Sequence, residues 1–457
     1  MSLLSQLESI TGTAVAVLWG PPLVVLLIGG GLFFLIYSRF LPYRTLPHSL
    51  RLLKHKPEHD EPGQLSHFQA LSTALSGTLG MGNVAGVAIA IALGGPGAIF
   101  WMWISALVGI ATKFYTCSLA VMYRGKDSMG ELQGGPMYVV REGLGKRWMP
   151  LAYLFAVAGL LGTMPLFQVN QMVQVLRDTI AIPMGLTAND QHYLFDFSAG
   201  LVVALLVMLV ALGKVPRLGR VTARLVPTMV VGYLFLTASV LIMNVSAIPA
   251  AFALIITDAF TGNAVAGGVV GTVILIGVRR AAFSNEAGIG TEAMAHGAAK
   301  TKEPVREGMV AMLGPIIDTL IVCTCTALVI LISGVWQGAN QDGVSLTATA
   351  FEQLFPYGGA VIMAVLVSLL SLSTVLTFSY YGSKCLGFLI GAKYQHHYIW
   401  CYMVLIILGA MTSLTLVINI IDAMYALMAI PTMVSAIILA PKVNRAAREY
   451  WKRPHQI

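Results

Sequence analysis

Long apolar runs separated by short polar turns organise this chain. Stretches of about 20 apolar residues recur from end to end, the length at which an α-helix crosses a bilayer. Eleven spans are predicted, near 13–37, 66–94, 97–122, 149–176, 193–213, 217–243, 264–298, 304–333, 357–391, 396–415 and 418–440. The runs are too long, and the polar turns too sparse, for a membrane β-barrel. The first run has no basic stretch ahead of it and is too long for a signal peptide, so it reads as a retained span. Residues 249–262, PAAFALIITDAFTG, read as an amphipathic helix lying at the outer surface rather than as a span of its own.

The composition agrees with an all-α polytopic membrane protein: 57% of residues are hydrophobic and 11% are charged, against about a quarter charged in a soluble domain. The formal charge of +8 does not indicate nucleic acid, because the basic residues sit in short loops between apolar spans. Of the 28 Lys and Arg, Lys113, Arg279 and Arg280 fall deep inside spans, and the rest lie in loops or near span ends. If the spans alternate, Arg177 alone lies on one side, together with Asp178, Asp190, Asp258, Asp342 and Glu352; every other basic residue lies on the opposite side. This asymmetry predicts a multi-pass protein of the plasma (inner) membrane with the N-terminus outside and the C-terminus in the cytoplasm. The five cysteines lie in or beside apolar segments and form neither a disulfide framework nor a metal motif.

Spans two and seven break the apolar pattern. Span two carries Gly77, Gly80, Gly82 and Gly86 around Asn83; span seven carries Ser284, Asn285, Glu286, Gly288 and Gly290 after an apolar first half. Lipid offers no hydrogen bonds, so an unwound stretch at membrane depth must face protein or a water-filled cavity. Its half-helix ends offer N–H groups to an anion and C=O groups to a cation. Each broken span opens a set of five, two to six and seven to eleven. Five is odd, so the second set starts from the other side of the membrane. That is the layout of an inverted repeat with its site between the breaks, the arrangement of a secondary transporter. The predicted units are residues 1–64 (first helix and basic loop), 65–243 and 244–441 (the two repeats) and 442–457 (a basic tail). Gly86, Gly94 and Gly95 read as close-packing positions.

Polar residues inside the spans mark candidate ligands. Gln168 and Asn170 lie in the middle of span four. An amide both donates and accepts, which suits a zwitterion; the pattern favours substrate contact for Gln168 and an interhelical hydrogen bond for Asn170. Pro165 loosens the same helix. Ser371, Ser373, Thr374 and Thr377 cluster in span nine, and Ser373 and Thr374 are the strongest candidates for holding a hard monovalent cation. Glu286 is expected to pair with Arg279 or Arg280 and hold the halves of span seven together. Asp318 and Asp422 fit a gate, a proton site or a buried partner for Lys113. His296 is expected to carry no chemistry.

The segments GNVAGVAIAIALGGPGAIFWMW, GGPMYVV, FSNEAGIGTEAMAHGAAKTKEPVREGMVAMLGPIIDTLIVCT and SYYGSKCLGFL resemble the alanine or glycine:cation symporter family from about Leu71 onward. The resemblance implies eleven helices, with a leucine-transporter-like core of five plus five inverted helices behind one extra N-terminal helix. It also implies coupling of sodium, sometimes proton, influx to uptake of alanine, glycine or other small neutral amino acids. By the same resemblance the unwound Gly80, Met81, Gly82 and Asn83 bind the substrate carboxylate. Unwound Phe283, Ser284 and Asn285 contribute to binding its ammonium and carboxylate groups, and Gln168 contacts the substrate. Ser373 and Thr374 hold sodium with backbone carbonyls of span two, at Gly77 and Thr78. The chain departs from the family pattern at Met81 (usually Thr), Val169 (usually Ala), Thr377-Phe378 (usually Gly-Trp) and Pro165. Phe378 and Phe283 are pocket or gate candidates.

The expected function is therefore sodium-coupled symport of small neutral amino acids by alternating access, with a proton-coupled symporter of the same fold as the alternative. An ion channel is less favoured, because the polar cluster is localised rather than continuous. No nucleophile elbow, paired acid–base motif or His-rich metal motif points to an enzyme.

Overall fold

The computed structural model describes residues 3–54, 61–188, 191–212, 214–260, 269–338, 343–356 and 358–453. They are nearly all helical, with one short antiparallel ribbon pairing Gly125–Lys126 with Leu132–Gln133. Among the described residues, seven continuous helices are long and apolar enough to cross a membrane, and nine if each of two bent pairs counts as one span. The third predicted span matches its helix, Gly97–Met122, residue for residue. Two of the eleven predicted spans correspond to shorter helices, Val269–Asn285 and Tyr398–Met411. The predicted start of span seven lies outside the described residues, as do Lys56, Asp190, Asp342 and the end of the 249–262 segment.

Three elements depart from the sequence reading. The first span is itself bent by 52° where Leu3–Leu18 gives way to Pro21–Tyr37; Gly20 and two prolines interrupt the hydrogen-bond ladder there. The segment 249–262 agrees with its reading as a helix apart from the spans: over the described residues it forms Ile248–Phe260, which packs against Gly97–Met122. A further helix, Gly343–Leu354, fills the connection ahead of span nine and covers Ala85–Gly94. The last span does not end in a separate tail but continues as one helix, Leu414–Lys452.

The helices form two packed groups. In one, Val269–Asn285 and Pro304–Ala311 lie on Gly97–Met122, while the two broken spans meet as His67–Thr78 on Glu292–His296 and Ala85–Gly94 on Val269–Asn285. In the other, Tyr193–Ala211 pairs with Tyr398–Met411, and Gly359–Ile390 packs on Met149–Gly162 and Leu166–Leu176. Leu194, Leu205, Leu209, Phe235 and Ile242 point outward and are exposed. Such an apolar surface needs acyl chains, not water, around it.

The broken helices are tied together at the end that the charge pattern assigns to the cytoplasm. A parallel bridge joins Leu65 to Ala299, with Gln64 N–H donating to Ala298 O at 2.8 Å. Arg124 donates to the carbonyls of Pro62, Gly297, Ala299 and Thr301; burial pulls its guanidinium down to about 10, still cationic at neutral pH. The buried Glu307 accepts from His67 and, at 2.6 Å, from His296. His296 thus has a structural partner.

Candidate substrate and cation site

The ladder of the second span fails at Leu79. Gly80 takes an extended backbone, with φ −134° and ψ −146°, Met81–Asn83 form one tight turn, and the helix restarts at Ala85. The two halves are bent by 59°. Two side chains hold the break open. Asn83 Oδ1 accepts from Gly80 N–H at 3.3 Å, and Gln168 Oε1 accepts from Met81 N–H at 2.9 Å. The first N–H groups of the restarted helix have no acceptor within the helix itself, which makes this turn a ready anion site.

The seventh span breaks later than the sequence suggests. Phe283, Ser284 and Asn285 are not unwound; they are the last turn of Val269–Asn285. The break lies at Glu286, Gly288 and Gly290, which have φ values of 56°, 85° and 96°. Helix geometry cannot pass through residues in the left-handed region, so it is Glu286 and the two glycines that end the helix, leaving the last carbonyls before them without helical donors. The expected pairing of Glu286 with Arg279 or Arg280 is not found. Glu286 instead accepts from Thr291, across the break, and from Tyr425 at 2.9 Å. It does bridge the two halves, but with hydroxyls. Both arginines converge on Asp422, 143 and 142 residues away, so Asp422 is neither a free gate carboxylate nor the partner of Lys113. Lys113 forms no ion pair among the described residues.

The two breaks touch. A β-carbon on Gly82 would lie 3.3 Å from both the Phe283 carbonyl and Ser284 Cα. Phe283 forms a wall beside this contact, edge-on to Phe167 at 4.9 Å and tilted against Tyr425 at 5.7 Å. On the other side, a β-carbon on Gly80 would lie 2.3 Å from Thr374 Oγ1 and 2.8 Å from Gln168 Oε1. The Gly80 turn, Gln168 and Thr374 therefore form one group. Asn170 lies apart, donating to Thr412 O at 2.6 Å, the interhelical bond expected of it. Phe378 is buried one turn beyond Thr374, with its ring 6.2 Å from Tyr381.

Ser373 and Thr374 both bond back to Leu370 O, at 2.8 and 3.2 Å, the usual fate of a hydroxyl in a helix. Ser373 also reaches Ser76 O at 3.4 Å, while Ser76 Oγ donates to Ser373 O at 2.7 Å and accepts from Thr377. Ser76 is the member of this group that the sequence reading missed. It sits one turn before Gly80, and that spacing was the available signal. Gly77 lies against Thr377 and Tyr381. Thr78 turns away: its carbonyl accepts from Gly80 N–H at 2.9 Å, and its hydroxyl faces Asp318.

A second polar group occupies that other face. Ser284 donates to Asp318, Asn285 Nδ2 donates to Thr319 Oγ1 at 2.9 Å, and Asn83 Nδ2 donates to Asp318 O at 3.4 Å. All of these residues are buried. Thr319 and Cys323, which belong to this group, had no sequence signal beyond their nearness to Asp318.

A family model described as the sodium:alanine symporter family matches residues 4–456. The chain belongs to the sodium:alanine symporter family. It is 41% identical over 440 residues to a sodium/alanine symporter of Methanococcus maripaludis, covering 94% of each chain. It is 39% identical over 458 residues to an uncharacterized transporter of Haemophilus influenzae, covering 98% of this chain and 97% of that one. Among solved structures it resembles MhsT in complex with L-phenylalanine, with a TM-score of 0.55 and 14% identity, over 84% of this chain and 88% of that one. The chain therefore shares that transporter's fold, and membership of the family makes it a multi-pass, cation-coupled amino-acid symporter.

Gln168→Ala follows from the geometry as a test of the first group. Removing the carbonyl that holds Met81 N–H is expected to raise the substrate KM about tenfold or more while the protein still folds with a lowered melting temperature, because leaving this buried N–H without its acceptor costs about 1–3 kcal/mol. Uptake at varied substrate concentration checks this; an unchanged KM would separate Gln168 from the substrate.

Proposed function

We propose that this protein couples inward sodium movement to uptake of alanine, glycine or a similarly small neutral amino acid. The observation that carries this reading is the contact of the Gly80 turn with both Gln168 and Thr374. It brings backbone N–H groups, an amide and a hydroxyl pair to one point beside the second break. In the proposed mechanism sodium binds Ser373 and Thr374 together with the carbonyls of Ser76, which Ser373 already reaches, and Gly77, and in doing so orders the broken helix. The substrate carboxylate then takes over Met81 N–H from Gln168, whose amide turns its NH2 toward it. Carbonyls at the end of Val269–Asn285, helped by Asn285, receive the ammonium.

The name of the Methanococcus maripaludis relative supports sodium and alanine. The Phe283–Phe167–Tyr425 wall supports a small side chain, and so does the absence of room for even a methyl on Gly80. A cavity of about 620 Å³ supports the direction of release. It is lined by Leu376, Ser379 and Ser383, on the helix that carries Ser373 and Thr374, and by Asp127, Glu131 and His396 of the loops assigned to the cytoplasm. With the N-terminus outside, a sodium ion moving inward gains about 2.3 kcal/mol per 100 mV, and rocking of the broken-helix group against the other helices alternates access.

The test is uptake of radiolabelled alanine into proteoliposomes, with an inward sodium gradient or with potassium in its place. Accumulation is expected only with sodium, and unlabelled glycine should compete while large neutral amino acids should not. Equal uptake in both gradients, or none in either, would reject the reading.

A further inference from the structure

The cavity on the release side is built for more than passage. Its volume of about 620 Å³ falls within the about 300–1,000 Å³ of small-molecule pockets. It is far roomier than the Gly80 turn, where a methyl does not fit. Its lining is sorted by chemistry. Lys384, on the helix Gly359–Ile390, is buried, whereas Glu131, in the loop of the short ribbon, is exposed. Leu218, Leu376 and Ile399 add an apolar face.

Lys384 is only 7% exposed, yet it closes no ion pair among the described residues. Its Nζ donates to Met294 O at 3.1 Å and to Gly134 O at 3.3 Å. An ammonium has three hydrogens, and the third meets no acceptor among the described residues. Nearby Asp127 is occupied within its own turn. Its Oδ1 accepts from the N–H groups of Met129 and Glu131, and its Oδ2 from Gln133 Nε2 at 3.0 Å. A buried ammonium met by carbonyls alone lacks the counter-charge that offsets its burial. A ligand suited to this cavity therefore brings a carboxylate to Lys384. The Glu131 carboxylate at the mouth suits an ammonium, and the apolar face suits a hydrocarbon side chain. Together these describe a neutral α-amino acid larger than the one proposed for the central site.

We propose that this cavity is a second amino-acid site, open to the cytoplasm, which takes a neutral amino acid with a large apolar side chain and slows transport when filled. The inference rests on the symport reading and adds a control to it. Occupancy acts through Lys384. Met294 belongs to Glu292–His296, in the second half of the broken seventh span. Its carbonyl accepts from both Lys384 and, at 3.4 Å, Tyr380. Both donors sit on the helix that carries Ser373 and Thr374. A carboxylate on the third hydrogen fixes the ammonium, and with it the tie between that helix and the broken span. The two groups then cannot rock apart until the ligand leaves. A cytoplasm already rich in amino acids thereby restrains further uptake.

The experiment places leucine on one side of the membrane at a time. Right-side-out membrane vesicles with and without the protein are loaded with unlabelled leucine, or leucine is added outside. The initial rate of labelled alanine uptake is then measured under an inward sodium gradient. Internal leucine is expected to slow uptake about fivefold, and external leucine not at all. Lys384→Met keeps the stem and removes the charge; it should need about tenfold more internal leucine for the same effect. Equilibrium binding of labelled leucine to the purified protein gives a readout that needs no transport. Gly80→Ala, altered at the central site, should bind leucine as the wild type does, and Lys384→Met about tenfold more weakly. Loss of leucine binding in Gly80→Ala would put leucine in the central site and overturn the proposal. So would alanine uptake indifferent to internal leucine, or equal leucine affinity in Lys384→Met and the wild type; either leaves the symport reading standing. Leucine binding without any sodium-driven alanine uptake rejects the symport reading and keeps the site. Should Lys384→Met not accumulate, Glu131→Gln removes only an exposed carboxylate. It should weaken leucine binding about threefold, and an unchanged affinity overturns the proposal.

Discussion

Gly80→Ala is expected to lower uptake at least about a hundredfold while the protein still folds. The backbone at Gly80 is not the obstacle, because φ −134° is open to alanine. The obstacle is space. The new methyl would stand 2.3 Å from Thr374 Oγ1 and 2.8 Å from Gln168 Oε1, so both side chains must move. Overpacking of this kind costs about 1–3 kcal/mol, small against a typical total stability of about 5–15 kcal/mol. The damage falls on transport, because the displaced atoms are the proposed sodium ligand and the group that positions the carboxylate site. Two ligand sites lost together exceed the tenfold that about 1.4 kcal/mol represents.

Gly86→Ala is the control. Its added methyl meets Phe283 at 3.6 Å and the Met81 carbonyl at 3.9 Å, ordinary contacts, and alanine favours helix over glycine by about 1 kcal/mol. Uptake should stay within about twofold of wild type. Side-by-side uptake assays, normalised to protein in the liposomes, decide the matter. Equal loss in both variants would mean that the segment tolerates no bulk anywhere; no loss in Gly80→Ala would detach Thr374 and Gln168 from the site.

What the sequence revealed follows from how local each feature is. The Gly97–Met122 helix is bounded by a Gly-Pro turn and the polar Tyr123-Arg124 and carries Lys113 as its single charge, so its ends were legible. The first break was legible because glycines and a lone amide interrupt an apolar run, a local cost that packing must offset. The second was misplaced by a few residues, because Ser284 and Asn285 look like the interruption. Yet their side chains are satisfied by the neighbouring helix, and Glu286, Gly288 and Gly290 carry the positive φ values. Long-range pairing was the least legible. Nothing near Arg279 and Arg280 announces Asp422, whereas Glu286, nearly two turns away, seemed available. Gly343–Leu354 escaped notice because a twelve-residue helix lying across other helices has no transmembrane length to betray it. The continuation of the last span to Lys452 was hidden because hydropathy ends near Ala440 while the helix does not.

Asp422→Ala is expected to be the most destabilising of the substitutions considered. Its Oδ2 accepts from Nε and Nη2 of Arg279 and from Nη2 of Arg280. The Arg280 side chain is 3% exposed and Asp422 1%. Removing the carboxylate leaves two guanidinium charges with no counter-ion beside the broken seventh span. Breaking a buried pair from one side costs about 3–5 kcal/mol, a large part of the stability of an ordinary fold. The Trp19 indole, which donates to the Asp422 carbonyl at 2.8 Å, keeps its acceptor, so the N-terminal helix should remain docked while Val269–Asn285 loosens. The variant should accumulate poorly and lose its monodisperse peak after heating at least about 10 °C below wild type. Asp422→Asn should fall between the two, keeping an acceptor and losing the charge. Arg280→Met combined with Asp422→Leu should recover part of the loss, since well-packed apolar residues replace a buried pair at little cost. Size-exclusion profiles after graded heating measure all three. A wild-type melting profile for Asp422→Ala, with the loss appearing only in pH-driven uptake, would move Asp422 from the fold to the proton path.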